Sequence, residues 1–262
     1  TEDSTKAITL QTLLTSLSSS NIINSLDLQS KVLGMSYPVT LNELLNMYID
    51  PYLEVVLPSM TLYGNYEIGD EKENITTSSP KAIVKIDGST ITKDNKILGY
   101  LDLEESKILN LINGKLKETI IKMNYYDGYI IFEPNRIKVS RELDIKNNII
   151  KINISGYSKT KEIQSNIDLK DPKEVEKLNK ALNMELEKKI TDTFNSIREK
   201  YGTDVFGFQE LYYRTNYKYF KENCTNWYEN IYPKIKLEVK ANVRLYEKGN
   251  TLGGLRYERK NK

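Results

Sequence analysis

Histidine is absent from all 262 residues. Its absence removes the side chain most used for proton transfer near neutral pH and the commonest metal ligand, so neither Ser-His-Asp nor Cys-His catalysis can be written. Cysteine is nearly as scarce, with Cys224 alone, which rules out an internal disulfide and a cysteine-rich zinc site. Tryptophan also occurs once, at Trp227. No apolar run approaches the ~18 residues of a membrane-spanning helix, and the mean hydropathy is -0.53.

What is present is organised around residues 171 to 245. Val175, Leu178, Leu182, Leu186, Ile190, Phe194, Ile197 and Tyr201 recur three or four apart and predict one apolar stripe along a helix. Pro172 suits its first position, Asp171 and Glu174 predict a capping box, and Gly202 supplies the stop. Such a helix is about 45 Å long. Ile235, Leu237, Val239, Ala241, Val243 and Leu245 then alternate with Lys236, Glu238, Lys240, Asn242 and Arg244, the pattern of a strand with one dry face. A striped helix and a one-faced strand can bury each other, so a sheet covered on one side by the long helix is expected.

The formal net charge of +2 conceals a gradient: residues 1 to 79 hold 3 Lys+Arg against 10 Asp+Glu, and residues 80 to 262 hold 35 against 26. An acidic front and a basic rear suggest separate units, the lysines being read mainly as solvent-facing positions.

In chain order, Ile8, Leu10, Leu13, Leu14 and Leu17 predict a helix running into a polar break at Ser18 to Asn21. Thr40 and Glu43 predict a capping box for a helix with Leu41, Leu44, Leu45, Tyr48 and Ile49 on its apolar face. A further short helical segment is expected from Tyr52 to Val56. Residues 64 to 80 turn polar and are expected as a linker or exposed loop. Beyond them the period becomes two. Ala82 to Ile86 predicts a strand, with turns at Asp87-Gly88 and Lys93 to Lys96, and a helix from Leu103 ends at Gly114. Strands are expected near Leu116 to Met123, Tyr129 to Phe132, Ile137 to Leu143 and Ile149 to Tyr157, with hairpin turns at Asp127-Gly128 and Asn147-Asn148. The fold class is α+β, multi-domain, with mixed or antiparallel sheets and a long helix on the C-terminal sheet. Three domains are expected: 1–79, largely helical and truncated; 80–165, sheet-rich; and 166–262, α+β.

No catalytic set emerges. Glu104 and Glu105 are adjacent and point about 100° apart on a helix, so first-turn acids explain them better than a carboxylate pair. Asp204 lies just past a helix end, where the dipole disfavours it, and needs a backbone N–H or a lysine as partner. Cys224 reads as a structural thiol. Tyr217-Lys218-Tyr219 has the make-up of a base-stacking platform, but no nucleic-acid motif accompanies it. Gly253-Gly254 has no helix after it and is no phosphate loop. The rings between the long helix and the last strand need burial against the sheet or a partner, and Tyr212, Tyr213, Tyr217 and Tyr219 are the candidate partner-contact residues. No enzyme activity, cofactor or metal is expected. The alternatives kept open are a carboxylate-based hydrolase and a weakly basic nucleic-acid-binding protein.

These residues resemble the GerAC-like family, the C subunits of spore nutrient-germinant receptors of Bacillus and Clostridium, and a clostridial source is expected. The most specific match is Lys200-Tyr201-Gly202-Thr203-Asp204-Val205-Phe206-Gly207-Phe208, a long helix ending in lysine and tyrosine and followed by Asp, an aliphatic, Phe and Gly. The spacing onward to Trp227, Tyr232-Pro233, the alternating strand and Gly249 is similar. Lys96 to Leu101 followed by Glu104-Glu105-Ser106, and Leu57-Pro58, extend the resemblance loosely to about residue 50. It implies a non-catalytic lipoprotein on the outer face of the spore inner membrane, assembled with two integral membrane subunits, A and B, and needed for germination. Family precursors begin with a signal peptide and a lipidated cysteine. Neither is seen here, so an ectodomain lacking its diacylglycerol anchor and the start of its first domain is expected.

Overall fold

A computed structural model of the chain describes residues 18–69, 74, 80–94 and 96–247. The chain divides into two units, Thr1–Asn110 and Leu111–Lys262, each with its own sheet.

The first unit holds helices α1 (Ser18–Val32) and α2 (Leu41–Ile49), and an antiparallel sheet of β1 (Val56–Gly64), β2 (Ala82–Lys93) and β3 (Lys96–Leu101) in that order. A single turn, α3 (Tyr66–Gly69), follows β1, and α4 (Leu103–Ile112) follows β3. The capping box of α2 forms as the sequence predicts: Glu43 N–H donates to Thr40 Oγ1 at 3.2 Å, and Thr40 N–H donates to Glu43 Oε2 at 2.8 Å. The start of α4 repeats the device, because Glu105 N–H donates to Asp102 Oδ1 at 2.8 Å and Asp102 N–H to Glu105 Oε2 at 3.0 Å.

Several expectations are corrected here. The expected helix from Ile8 to Leu17 lies outside the described residues, and Ser18 to Asn21 are helical where a break was expected. Tyr52 to Val56 is not helical; Val56, Leu57 and Pro58 open β1, where proline is tolerated because β1 is an edge strand and the ladder is irregular between Pro58 and Met60. Asp87-Gly88 is a bulge within one continuous β2 and makes no hairpin. Gly88 sits at φ +99°, and a Cβ there would lie 2.1 Å from the Leu101 carbonyl oxygen, which only glycine permits. The hairpin lies at Lys93 to Lys96, as expected.

The second unit is built on a four-stranded sheet in the order β4 (Ile121–Tyr125), β5 (Gly128–Asp144), β6 (Ile149–Ile163) and β7 (Lys236–Glu247). The expected strand from Leu116 starts at Ile121. The two expected strands from Tyr129 to Leu143 are one, β5, which absorbs Pro134 and the left-handed Arg136 through a register shift against β6. The pairs β4–β5 and β5–β6 are antiparallel, and β6–β7 is parallel.

Two domain divisions are expected, after residues 79 and 165. Gly64 pairs with Ala82 across the first, and β6 pairs with β7 across the second. Residues 64–80 are thus a connection inside one sheet, and β7 joins the sheet begun by the middle strands.

A parallel pair requires a crossover, and most of it is α5 (Pro172–Tyr201). Asp171 caps α5 by accepting from Lys173 N–H at 2.9 Å, while Glu174 pairs with Lys177 at 3.0 Å, so the helix has a side-chain N-cap in place of the expected capping box. Gly202 ends the helix in the left-handed conformation, its N–H donating to Arg198 C=O at 2.9 Å. Leu178, Leu182, Leu186, Ile190, Phe194 and Ile197 are buried, the stripe the spacing predicts.

Beside that stripe runs a polar row. Ala241 N–H donates to Glu187 Oε1 at 2.8 Å, Val243 N–H to Asn183 Oδ1 at 2.8 Å, and Leu245 N–H to Asn179 Oδ1 at 2.9 Å. Asn183 Nδ2 donates back to Val243 C=O at 3.1 Å, and Arg198 Nη1 donates to Ile235 C=O at 2.6 Å. Eight helical residues from Glu187 to Asn179 rise about 12 Å. Four strand residues from Ala241 to Leu245 rise about 13 Å. The two repeats agree, so side chains four apart on the helix meet backbone groups two apart on the strand.

Asn183→Ala removes both side-chain bonds to Val243 and is expected to lower the unfolding free energy by about 2–3 kcal/mol after the gain in helix propensity. Lys180→Ala, at a surface ion pair, should change it by less than about 0.5 kcal/mol. Urea denaturation followed by circular dichroism compares the two.

Candidate functional site

Between α5 and β7 the chain forms two short helices, α6 (Phe208–Thr215) and α7 (Tyr217–Asn223), then a single π-helical turn, Trp227–Ile231, and a 3-10 turn, Tyr232–Lys234. The segment that opens this connection, Thr203 to Phe208, is buried throughout. Phe206 and Phe208 stack at 5.5 Å and both contact Phe194 of α5, at 5.4 and 5.7 Å. Gly207 reverses the chain at φ +69° and begins α6 without a side-chain cap of its own. Asp204 supplies one. Its Oδ1 accepts from Phe206 N–H at 3.2 Å and its Oδ2 from Gln209 N–H at 2.6 Å, so its partners are backbone N–H groups.

A second layer ties the rings to the sheet. Tyr212 packs edge-on against Trp227 at 5.0 Å, and Trp227 lies 6.2 Å from Tyr232. The Tyr232 hydroxyl donates to Thr203 C=O at 2.9 Å. The Tyr212 hydroxyl donates to Asn148 Oδ1, and Asn148 Nδ2 donates to Ile231 C=O at 3.2 Å. Asn148 C=O also accepts from Lys236 N–H at 3.0 Å, next to the β5–β6 turn where Asn148 holds φ +56°. One left-handed asparagine thereby joins the turn, the ring cluster and the first residue of β7. Burial pushes both phenols up, Tyr232 further than Tyr212, with the Asp204 carboxylate adding to Tyr232.

Arg141 of β5 donates through Nη1 to Phe206 C=O at 2.9 Å and to Asn113 Oδ1 at 3.1 Å. Burial lowers its pKa, and the Glu210 and Asp204 carboxylates offset part of that effect. Cys224 is buried and its thiol is pushed up by burial, the opposite of an activated nucleophile. Glu104 pairs with Lys107 at 2.6 Å, and Glu105 closes the cap of α4, so neither acid faces a shared point.

The four candidate contact residues separate. Tyr212 is 1% exposed and belongs to the core. Tyr213 and Tyr219 are half-buried, and Tyr217 is 58% exposed. Tyr213 meets Tyr217 and Phe220 edge-on at 5.4 and 5.6 Å, so α6 presents a ring to α7, and α7 in turn leaves Tyr217 open to solvent. The surface is therefore Tyr213, Tyr217 and Tyr219, flanked by exposed Lys218 and Lys221. Asn148 and Arg141 were not singled out from sequence. Nothing in a turn dipeptide or an alternating strand marks them.

This arrangement defines an α+β protein in which a crossover helix and an aromatic knot hold a parallel edge strand in place, with a fringe of tyrosines at its surface. The family described as Spore germination B3/ GerAC like, C-terminal, matches residues 87–249, and the chain belongs to that family. It is 25% identical over 253 residues to Spore germination protein KC of Bacillus subtilis (strain 168), covering 94% of this chain and 62% of that protein. It is 24% identical over 174 residues to Spore germination protein GerQC of Bacillus cereus, covering 64% of this chain and 47% of that one. The crystal structure of the GerBC protein matches with a TM-score of 0.54 at 20% identity, over 63% of this chain and 52% of that chain, and shares the fold.

Tyr232→Phe removes a buried hydrogen bond and is expected to lower stability at pH 7 by about 1 kcal/mol. A phenol whose pKa is raised on folding contributes stability that is full below the unfolded value of about 10 and declines above it, as the unfolded chain ionises first. Above about pH 10 the parent should therefore lose stability with pH more steeply than Tyr232→Phe, by up to about 1.4 kcal/mol per pH unit. Parallel denaturation curves would contradict this origin.

Proposed function

We propose that this chain is a component of a spore germinant receptor and acts in it as a non-catalytic scaffold. The reading is supported by membership of the GerAC-like family over residues 87–249 and by relatives named as spore germination proteins. The chain spans 62% and 47% of the lengths of those two relatives, so the action of the whole protein is part of the proposal. The observation that carries the scaffold reading is the commitment of the chemically capable side chains to structural ties. Asp204 caps α6, Arg141 holds the Phe206 carbonyl, Glu105 caps α4 and Cys224 packs in the core.

The proposed setting is the outer face of the spore inner membrane, with a lipid anchor and the integral membrane subunits A and B as partners. Among the described residues no helix is long and apolar enough to cross a membrane. A lipid chain contributes about 0.8 kcal/mol per buried methylene and can hold such a domain at a surface. Tyr213, Tyr217 and Tyr219 form the proposed docking surface. Amphipathic rings bury much area at little entropic cost, and Tyr217 is already exposed beside its edge-on partner Tyr213.

Tyr217→Ser should leave the denaturation midpoint within about 0.5 kcal/mol of the parent while lowering recovery of the membrane subunits in affinity purification from spore inner membrane. A docking tyrosine of this kind is worth about 1–2 kcal/mol, or roughly fivefold to thirtyfold in affinity. Unchanged recovery would move the docking surface elsewhere, and absence of both membrane subunits from the parent purification would remove the receptor reading.

A further inference from the structure

We infer that the sheet face of the second unit opposite α5 is a docking surface for an anionic phospholipid bilayer, gripped by Lys138, Lys240 and Arg244 and entered by Tyr157 and Tyr246. All five side chains are exposed. Lys138 of β5 pairs in register with Ser155 of β6, and Ser155 with Asn242 of β7, so one row across the sheet runs cation, hydroxyl, amide. Lys240 and Arg244 lie two residues either side of Asn242 on β7, and Arg244 is the register partner of Tyr157. Residues four apart on a strand are separated by about 13 Å, and two strand spacings by about 10 Å, so the three cations form a triangle over a floor of small polar side chains.

These cations differ from the lysines of α5. On the helix Lys177, Lys180 and Lys188 are each paired with a carboxylate, of Glu174, Glu176 and Asp192. Among the described residues none of Lys138, Lys240 and Arg244 forms an ion pair, and acids of the same face are engaged elsewhere: Glu133 with Lys161 at 2.9 Å, and Glu142 with Asn153 Nδ2 at 3.2 Å. Positive charge on this face is therefore left for a partner of opposite sign. Tyr157 and Tyr246 meet edge-on at 5.8 Å while 46% and 53% exposed, and Lys159 Nζ lies 5.7 Å from the Tyr246 ring. A ring with a polar tip, set among cations, suits the headgroup level of a bilayer. Cations spread in two dimensions also fit a surface of headgroups better than the single line of phosphates on a nucleic-acid strand. The choice of a bilayer rests in addition on the membrane setting proposed above, and deepens it: an anchor tethers the domain, and this face orients it.

Flotation of the 262-residue chain with vesicles tests this directly. The chain should float with vesicles of equal parts phosphatidylglycerol and phosphatidylcholine, stay behind with phosphatidylcholine alone, and be released by salt. Each cation near such a surface is worth about fivefold, so Lys138→Gln, Lys240→Gln and Arg244→Gln together should weaken partitioning about a hundredfold, with an unchanged circular dichroism spectrum. The same change of net charge made at Lys177, Lys180 and Lys188 on α5 should alter it by less than about twofold. Equal losses from the two triple variants would show that net charge alone is read, and would overturn the assignment to this face. Absence of flotation would overturn the inference outright; if the Lys138, Lys240 and Arg244 variant then loses retention on a thymidine oligonucleotide, the face reads nucleic acid instead. The vesicles hold no receptor subunits, so failure here leaves the receptor reading standing, and failed recovery of the membrane subunits leaves vesicle binding to be judged by itself.

Discussion

The structure depends on one constraint: the last strand is parallel to its neighbour and lies at the edge of the sheet. Parallel pairing sends the chain back across the sheet before β7 can begin, and edge placement leaves β7 with backbone groups that no strand satisfies. α5 answers both needs. Its apolar stripe supplies the burial, while Asn179, Asn183 and Glu187 on the adjoining face take the place of the missing strand. The helix can do this only if it runs antiparallel to β7 at a fixed height. Arg198 near one end, bonded to the Ile235 carbonyl, and Asn179 toward the other, bonded to Leu245, fix that height.

The aromatic connection follows from the same constraint. Antiparallel packing brings the end of α5 close to the start of β7, so residues 202 to 235 must reverse direction within a small space. Gly202 and Gly207 in the left-handed conformation make the reversals, and Asp204 satisfies the backbone exposed between them. Phe206 and Phe208 anchor the start of the loop to α5, and Tyr212, Trp227 and Tyr232 anchor its remainder through Asn148. The motif that most resembles the GerAC-like family is therefore the joint of the C-terminal unit, which gives a physical reason for its residue types. Such a joint leaves α6 and α7 at the surface with tyrosines partly exposed, the feature that the docking proposal uses.

How far this was legible from sequence varies with the kind of signal. The stripe of α5 and the alternation of β7 were plain because burial repeats every three or four residues in a helix and every two in a strand. The α+β class followed from them. The edge ladder was not visible, since Asn179, Asn183 and Glu187 look like ordinary solvated helix positions. One clue existed: asparagine is a poor helix former, and two placed four apart beside an apolar stripe call for a reason. The bulge at Gly88 read as a hairpin turn because both use a glycine at positive φ, and only the partner strand distinguishes them. Composition suggested a boundary at residue 79, yet a charged connection between paired strands has the same make-up as a linker. Tyr212 and Tyr217 are the same residue type within six positions, and nothing local says which is core and which is surface.

Amide hydrogen exchange measured residue by residue tests the central claim most directly. If α5 side chains close the edge of β7, the Ala241, Val243 and Leu245 amides exchange as slowly as those of Lys240, Asn242 and Arg244, which face β6, because both sets open only with the unit as a whole. Fast exchange confined to Ala241, Val243 and Leu245, at the rate of an unprotected edge, would show that the strand is held by the sheet alone and that the helix does not secure it.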